Sequence, residues 1–326
     1  MSQDAPYDRL SPDAVIAALE TVGLMPDGRV LALNSYENRV YQVGMDEGPP
    51  LVCKFYRPGR WSDAGILEEH SFALELAAQE IPVVPPIAYA GATLNVFDEY
   101  RFAVFERRGG RWPELGNSHD REWLGRFVGR MHAVGRASRF AVRARMSVQE
   151  LGRDARDTVL EGDWMPDYLA DKYEQVTEEL LTEVEWRAAE WGGASTLRIH
   201  GDCHRGNVLW TDAGPHFVDL DDCKTGPAIQ DLWMLLSGGL QEMRTELTDI
   251  LAGYEQFTAF DRSELALIEP LRALRMIHYS AWLAQRWHDP AFPKAFPWFA
   301  ESRYWEQHYR SLDEQLTAVR QPALEL

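Results

Sequence analysis

Apolar positions in the first hundred residues recur mostly at every second place. Residues 30–33, 39–43 and 51–55 read as three strands, and a polar turn, Asn34-Ser35-Tyr36-Glu37-Asn38, joins the first two. Two more strands are expected at 87–90 and 101–105. Ahead of them, Ser11 as N-cap and Pro12 at the first helical position start a helix that should end near Gly23. Its apolar positions Val15, Ile16, Leu19 and Val22 keep the helical period. A second helix is expected over 63–79, before Pro82, Pro85 and Pro86. There Ile66, Glu69, Phe72, Ala73 and Leu76 share one face, whereas Glu68 falls with Ser71, Glu75 and Gln79. Glu69 therefore lies on the apolar stripe and Glu68 faces water. A carboxylate on a buried face needs a cation, and Lys54 at the end of the third strand is the candidate.

After Arg107-Arg108-Gly109-Gly110 the period changes from two to that of helices. This places a lobe boundary between 1–108 and 109–326. Helices are expected at 121–134, 168–191, 229–236, 245–257, 263–287 and 304–316. A Pro- and aromatic-rich loop fills 289–298.

The stretch 197–227 breaks this helical run. Strand-like 196–199 and 208–210 bracket the loop His200-Gly201-Asp202-Cys203-His204-Arg205-Gly206-Asn207. A third run, 216–218, follows a turn at 212–215 and ends on Asp219. Phosphoryl transfer needs a carboxylate to accept the proton of the attacking hydroxyl. It also needs an amide and a second carboxylate to hold the metal on the nucleotide phosphates. The D-x-x-x-x-N spacing of Asp202 and Asn207, with Asp219 downstream, supplies that set. Alone, an Asp beside a Gly is more often a turn residue; the three together favour catalysis. Asp221 and Asp222 follow closely, so a solvated acidic turn is the alternative reading for Asp219, Asp221 and Asp222. Lys54 would hold the nucleotide's α- and β-phosphates, oriented by Glu69. Ser35 and the backbone of its turn sit where a phosphate-covering loop belongs, although no G-x-G-x-x-G or Walker motif is present. His200 reads as structural, and Asp231 as bonding back to the catalytic-loop backbone. His288-Asp289 reads as a helix end.

Composition narrows the partners. The chain has 326 residues and a formal net charge of -18, with no basic stripe, which argues against nucleic acid and anionic membranes. Such a balance reads mainly as solubility, and secondarily as favouring basic protein partners. No apolar run is long enough to span a membrane, and the N-terminus lacks a signal-peptide pattern. The three cysteines, Cys53, Cys203 and Cys223, form no disulfide framework, so a cytoplasmic, reduced setting is expected; the chain is also expected to act as a monomer. A metal site from Cys203, His200 and His204 is disfavoured, because no Cys-x-x-Cys spacing accompanies it.

The phrases HGDCHRGNVLW, FVDLDD and GPAIQDLW resemble the aminoglycoside phosphotransferase and choline kinase branch of the protein-kinase-like superfamily. LNSYENRVYQV, VCKFYRP, LEEHSFALEL, EPLRALRMIHYSAWLAQRW and DPAFPKAFPW are similar to the bacterial stress response kinase A group. The likeness spans about residues 10–320. It implies an α+β, bilobal protein-kinase-like fold, with an antiparallel-sheet N-lobe plus one helix and a mainly helical C-lobe. It implies ATP-dependent phosphorylation of protein Ser/Thr acceptors, including the kinase itself, in stress response and protection from cell death. By resemblance Asp202 is the proton acceptor, Asn207 and Asp219 ligate Mg²⁺, Asp219 is also an active position, Ser35 contacts ATP, and Lys54 pairs with Glu69. Against ordinary protein kinases, Gly201 replaces the Arg of H-R-D and Asp219-Leu220-Asp221 replaces D-F-G. Eleven residues separate Asp219 from Asp231, too few for a long activation loop. Small-molecule kinases acting on an amino alcohol, sugar or aminoglycoside share these departures and form the alternative. Trp233, Tyr279, Trp282, Trp287 and Trp298 read mainly as helix-helix core, and secondarily as a pocket for a cationic acceptor.

Overall fold

The computed structural model describes residues 6–190 and 196–326. The N-terminal part comprises α1 (Pro12–Thr21), β1 (Pro26–Ala32), β2 (Arg39–Met45), β3 (Leu51–Phe55), α2 (Asp63–Ala78), β4 (Pro86–Ile87), β5 (Asn95–Phe97) and β6 (Tyr100–Glu106). The strands form one antiparallel sheet in the order β1-β2-β3-β6-β4, with β5 also on β6. The two-residue period of β3 decides what each face carries. Cys53 and Phe55 pack with Val15 and Leu19 of α1 and Phe102 of β6. Val52 and Lys54 point the other way, into a cleft. α2 spans both parts: Ile66 packs on Ala103 and Tyr56, while Phe72, Ala73 and Leu76 enter the core of the helical part.

That part contains α3 (Ser118–Ala137), α4 (Ala155–Leu160), α5 (Asp167–Glu190), β7 (Leu197–Ile199), β8 (Val208–Thr211), β9 (Gly214–Phe217), β10 (Lys224–Gly226), α6 (Ile229–Trp233), α7 (Leu240–Tyr254), α8 (Ile268–Arg286), α9 (Ala291–Ala295) and α10 (Ser302–Arg320). Glycines let α3 and α7 touch through their backbones. A Cβ on Gly125 would meet the Ile250 carbonyl oxygen at 1.9 Å, and one on Gly253 would meet that of Glu122 at 1.9 Å. Two small antiparallel ladders, β7 with β10 and β8 with β9, carry the loops that reach the cleft. Among the described residues no helix is long and apolar enough to cross a membrane.

Several expected boundaries shift. The strand expected at 87–90 shrinks to Pro86–Ile87, because Ala90 and Gly91 turn at φ +49 and +83. β5 has no apolar pattern to announce it, and Val96 is exposed. α7 begins earlier than 245, capped at Gly239, whose N–H donates to Glu242 at 2.9 Å. Residues 262–267 form a tighter 3₁₀ turn before α8. α4 and the π-type turn before it, Gln149–Asp154, were not expected. The helix end expected at Trp191 lies outside the described residues.

Candidate active site

A cavity of about 740 Å³ separates the sheet from the helical part. Ser35, Lys54, Glu69, Asp202, Asn207 and Asp219 all line it. The six residues singled out in sequence thus converge on one space.

Lys54 is 6 % exposed. Its Nζ lies 3.4 Å from Glu69 Oε1, 3.1 Å from Asp219 Oδ1 and 3.0 Å from Asp221 Oδ1. Burial works against the ammonium, but these carboxylates outweigh it and hold its pKa well above the ordinary lysine range. Glu69 comes from the buried stripe of α2, as its helical position required. Its second oxygen accepts from Arg143 Nη2 at 2.8 Å. Burial raises the Glu69 carboxyl above its usual range, against the pull of Lys54 and Arg143. The carboxylate therefore has two cations, where one was expected. Arg143 is itself fixed by donating to the Gly65 carbonyl at 2.8 Å and by lying 4.2 Å from the Trp61 ring centroid.

Asp221 speaks against the alternative of a solvated acidic turn. It is 3 % exposed, and Lys54 and Arg60 hold its two oxygens. Burial pushes its carboxyl up, but Arg60, Lys54 and Arg143 prevail and keep it well below the usual range. The backbone explains the arrangement. Asp219 adopts φ +60, in the left-handed region, and a 3₁₀ turn follows. The Asp219 side chain stays 52 % exposed toward the cavity, while Leu220 and Asp221 are carried inward. Asp222 pairs with Arg60 at 2.8 Å.

The loop from His200 to Asn207 is anchored from below. Asp231, fully buried, accepts from the His200 N–H at 2.7 Å and the Gly201 N–H at 2.8 Å, and its Oδ2 lies 3.0 Å from His132 Nε2. The buried ring of His200 bonds the Val218 carbonyl through Nε2 at 2.9 Å. Gly201 has φ +85, and a Cβ there would meet the Asp222 carbonyl oxygen at 2.1 Å. An arginine cannot occupy this position, which accounts for the departure from H-R-D.

Asp202 receives Arg275 Nη1 on Oδ1 at 2.8 Å. His204 Nε2 lies 3.4 Å from Oδ2. Burial opposes ionisation of Asp202, but His204 and Arg275 overcome it and hold the carboxyl well below its usual range. His204 also accepts the Gly206 N–H through Nδ1 at 2.9 Å, which closes the turn. Asn207 Nδ2 donates to the Asp202 carbonyl at 3.0 Å. That uses the NH₂ end of the amide and leaves its carbonyl oxygen for a ligand. With the half-exposed Asp219 carboxylate, it forms a pair of oxygen donors that fits Mg²⁺. Among the described residues no group of three or more His, Cys, Asp and Glu could hold a metal. A nucleotide-borne Mg²⁺, which takes its remaining ligands from phosphate and water, does not require one. All three cysteines are buried thiols. Ser35 Oγ donates to the Asn38 carbonyl at 3.2 Å, shaping the turn above the cavity.

Residues 29–268 match the phosphotransferase enzyme family. The chain belongs to that family. It is 45% identical over 321 residues to stress response kinase A of Escherichia coli K12, covering 98% of this chain and 97% of that protein. It is 44% identical over 322 residues to the serine/threonine protein kinase RdoA of Salmonella typhimurium LT2, with coverages of 98% and 97%. Solved structures share the fold at lower identity. An amicoumacin kinase in complex with AMP-PNP and Ca²⁺ superposes with TM-score 0.66 at 20% identity, covering 90% of this chain and 93% of that one. A microcompartment-associated aminopropanol kinase gives 0.69 at 18%, covering 93% and 98%. The choline kinase LicA of Streptococcus pneumoniae gives 0.63 at 15%, covering 94% and 98%. The expected kinship and the α+β kinase-like fold are borne out.

Other parts of this phosphotransferase were not foreseen. Glu68 does not simply face water: its carboxylate accepts from the backbone N–H groups of Ala141, Val142 and Arg143 at 2.6, 3.0 and 2.7 Å. Asp289 is more than a helix end. Buried, it accepts from Arg57 Nη2 at 2.8 Å and Arg39 Nη2 at 3.0 Å. The α8 face of Leu271, Leu274, Arg275, His278 and Trp282 lines the cavity, a spacing readable in sequence as one helical stripe. Of the five aromatics, Tyr279 and Trp282 reach the cavity, Trp287 and Trp298 pack on the helical core, and Trp233 is buried.

Proposed function

We propose that this phosphotransferase is an ATP-dependent serine/threonine protein kinase that also phosphorylates itself, acting in bacterial stress response and protection from cell death. One observation carries the reading. Lys54, Asp202, Asn207 and Asp219 face a single cavity in a chain 45% identical over nearly its whole length to a stress response kinase. Residues 1–108 form the nucleotide lobe and 109–326 the catalytic lobe. Lys54, oriented by Glu69, holds the α- and β-phosphates, and Ser35 meets the phosphates from its turn. Asn207 and Asp219 would hold Mg²⁺, which when bound neutralises charge on the phosphates. Asp202, kept ionised, orients the acceptor hydroxyl and takes its proton. The acceptor oxygen forms a bond to the γ-phosphorus, the bond from that phosphorus to the β–γ bridging oxygen breaks, and ADP leaves. The protein acts as a cytoplasmic monomer.

The structural neighbours are named for small acceptors, and the cavity has room for one. Radiolabel transfer from ATP decides between the readings. Label on the chain itself and on Ser/Thr proteins, lost in Asp202→Asn, supports the protein kinase; label on a metabolite alone supports the small-molecule kinase.

A further inference from the structure

Charge around the cavity is not evenly committed. Glu37 is held by Arg57 and Arg286, Glu69 by Lys54 and Arg143, Asp221 by Lys54 and Arg60, and Asp222 by Arg60. Lys54 and Arg60 are spent in the same pairs. Two cations on the wall beside the base are left with spare donors. Arg275 is 46 % exposed, and among the described residues its guanidinium pairs with Asp202 alone, through one of five N–H groups. Lys224 lines the same wall, where its Cε would lie 3.3 Å from a Cβ on Gly201, the neighbour of Asp202. Its nearest carboxylate oxygen, on Asp222, is 4.0 Å away.

We infer that Arg275, with Lys224, selects acceptors that carry an acidic side chain next to the hydroxyl. This rests on the protein-kinase reading and names its substrate class: Ser or Thr flanked by Asp or Glu. Arg275 couples selection to catalysis. It occupies Asp202 Oδ1, the base that must meet the incoming hydroxyl. An acidic neighbour on the acceptor gives the guanidinium a second carboxylate, so it can turn from Asp202 and free that oxygen. An acceptor with a basic neighbour does neither, and puts its cation against Arg275 and Lys224. The chain's net charge of -18 does not decide the matter, because charges farther than about 8 Å are largely screened at physiological ionic strength. The amino-alcohol acceptors of the alternative reading carry a cation, and this wall disfavours them.

The test uses the full chain with ATP and Mg²⁺, a Ser/Thr peptide library balanced for acidic, neutral and basic flanks, and mass-spectrometric mapping of sites on peptides and on the chain itself. Wild type should favour acidic over basic flanks by about tenfold in kcat/KM, a margin one well-placed charge pair supplies. Arg275→Glu should erase or reverse the ratio, and Lys224→Gln should reduce it. The ratio cancels any loss common to all acceptors, and nucleotide affinity checks that each variant is folded. Where the chain labels only itself, the mapped sites must have acidic neighbours. Labelling without charge preference, a preference for basic flanks, or a ratio unchanged in Arg275→Glu overturns the inference and leaves the protein kinase standing. Label on neither peptide nor chain overturns both.

Discussion

Glu37 and Arg286, 249 residues apart, meet across the cleft at 2.6 Å. Arg57 Nε reaches the same carboxylate at 3.2 Å, and Arg57 Nη2 continues to Asp289 at 2.8 Å. The turn over the cavity is thereby tied to α8 and the segment after it. Glu37→Gln would leave Arg57 and Arg286 facing each other with one partner fewer. The expected cost is about 2 kcal/mol of stability, below that of breaking a fully buried pair because the site is partly wet. Nucleotide affinity should fall several-fold as the turn loosens. Denaturant unfolding and nucleotide titration of the variant measure both.

Lys54→Met should lower phosphoryl transfer by roughly a hundred- to a thousandfold, as loss of a preorganised charge does. It should also destabilise the unliganded protein, because Glu69, Asp219 and Asp221 lose a shared cation while Arg60 and Arg143 remain. Single-turnover rates and thermal melts report the two effects. A variant with wild-type rate would remove Lys54 from the chemistry.

Gly201→Ala places a Cβ against the Asp222 carbonyl in a left-handed backbone. A loss of about 2 kcal/mol or more is expected. Gly109→Ala, which meets nothing within 4 Å, serves as the comparison and should stay within about 0.5 kcal/mol.

Much of this was legible beforehand. Period-two and helical patterns located β3 and α2, and hence the Lys54–Glu69 pair, because side-chain direction follows from period alone. The spacing of Asp202, Asn207 and Asp219 pointed to one site because a short loop and a tight hairpin leave little freedom between them. The burial of Asp221 was not legible, because it depends on the left-handed turn at Asp219, a tertiary choice no local pattern announces. Arg60, Arg143, Arg275 and Asp289 escaped for a related reason. Each finds its partner far along the chain, and a polar residue seen in sequence carries no mark of what it will face.

Glu264 gives the stability a pH dependence. Its carboxylate is fully buried and accepts from the Ile229 N–H at 2.8 Å, at the start of α6. Burial raises its pKa to about 7 despite that bond. Below the unfolded carboxyl range both states hold the proton, so the full stability is present. As pH rises toward 7 the unfolded chain ionises first, and stability falls across that window. Glu264→Gln should flatten this slope, gaining about 3 kcal/mol relative to wild type at pH 8 and little at pH 4.5. Unfolding titrations at the two pH values measure the difference.

A crystal structure with AMP-PNP and Mg²⁺ tests the central claim most directly. The account predicts the triphosphate in this cavity, with phosphate oxygens within hydrogen-bond reach of Lys54 Nζ and the cation on Asn207 and Asp219. A nucleotide bound elsewhere, or a cation held without either of those side chains, would contradict it.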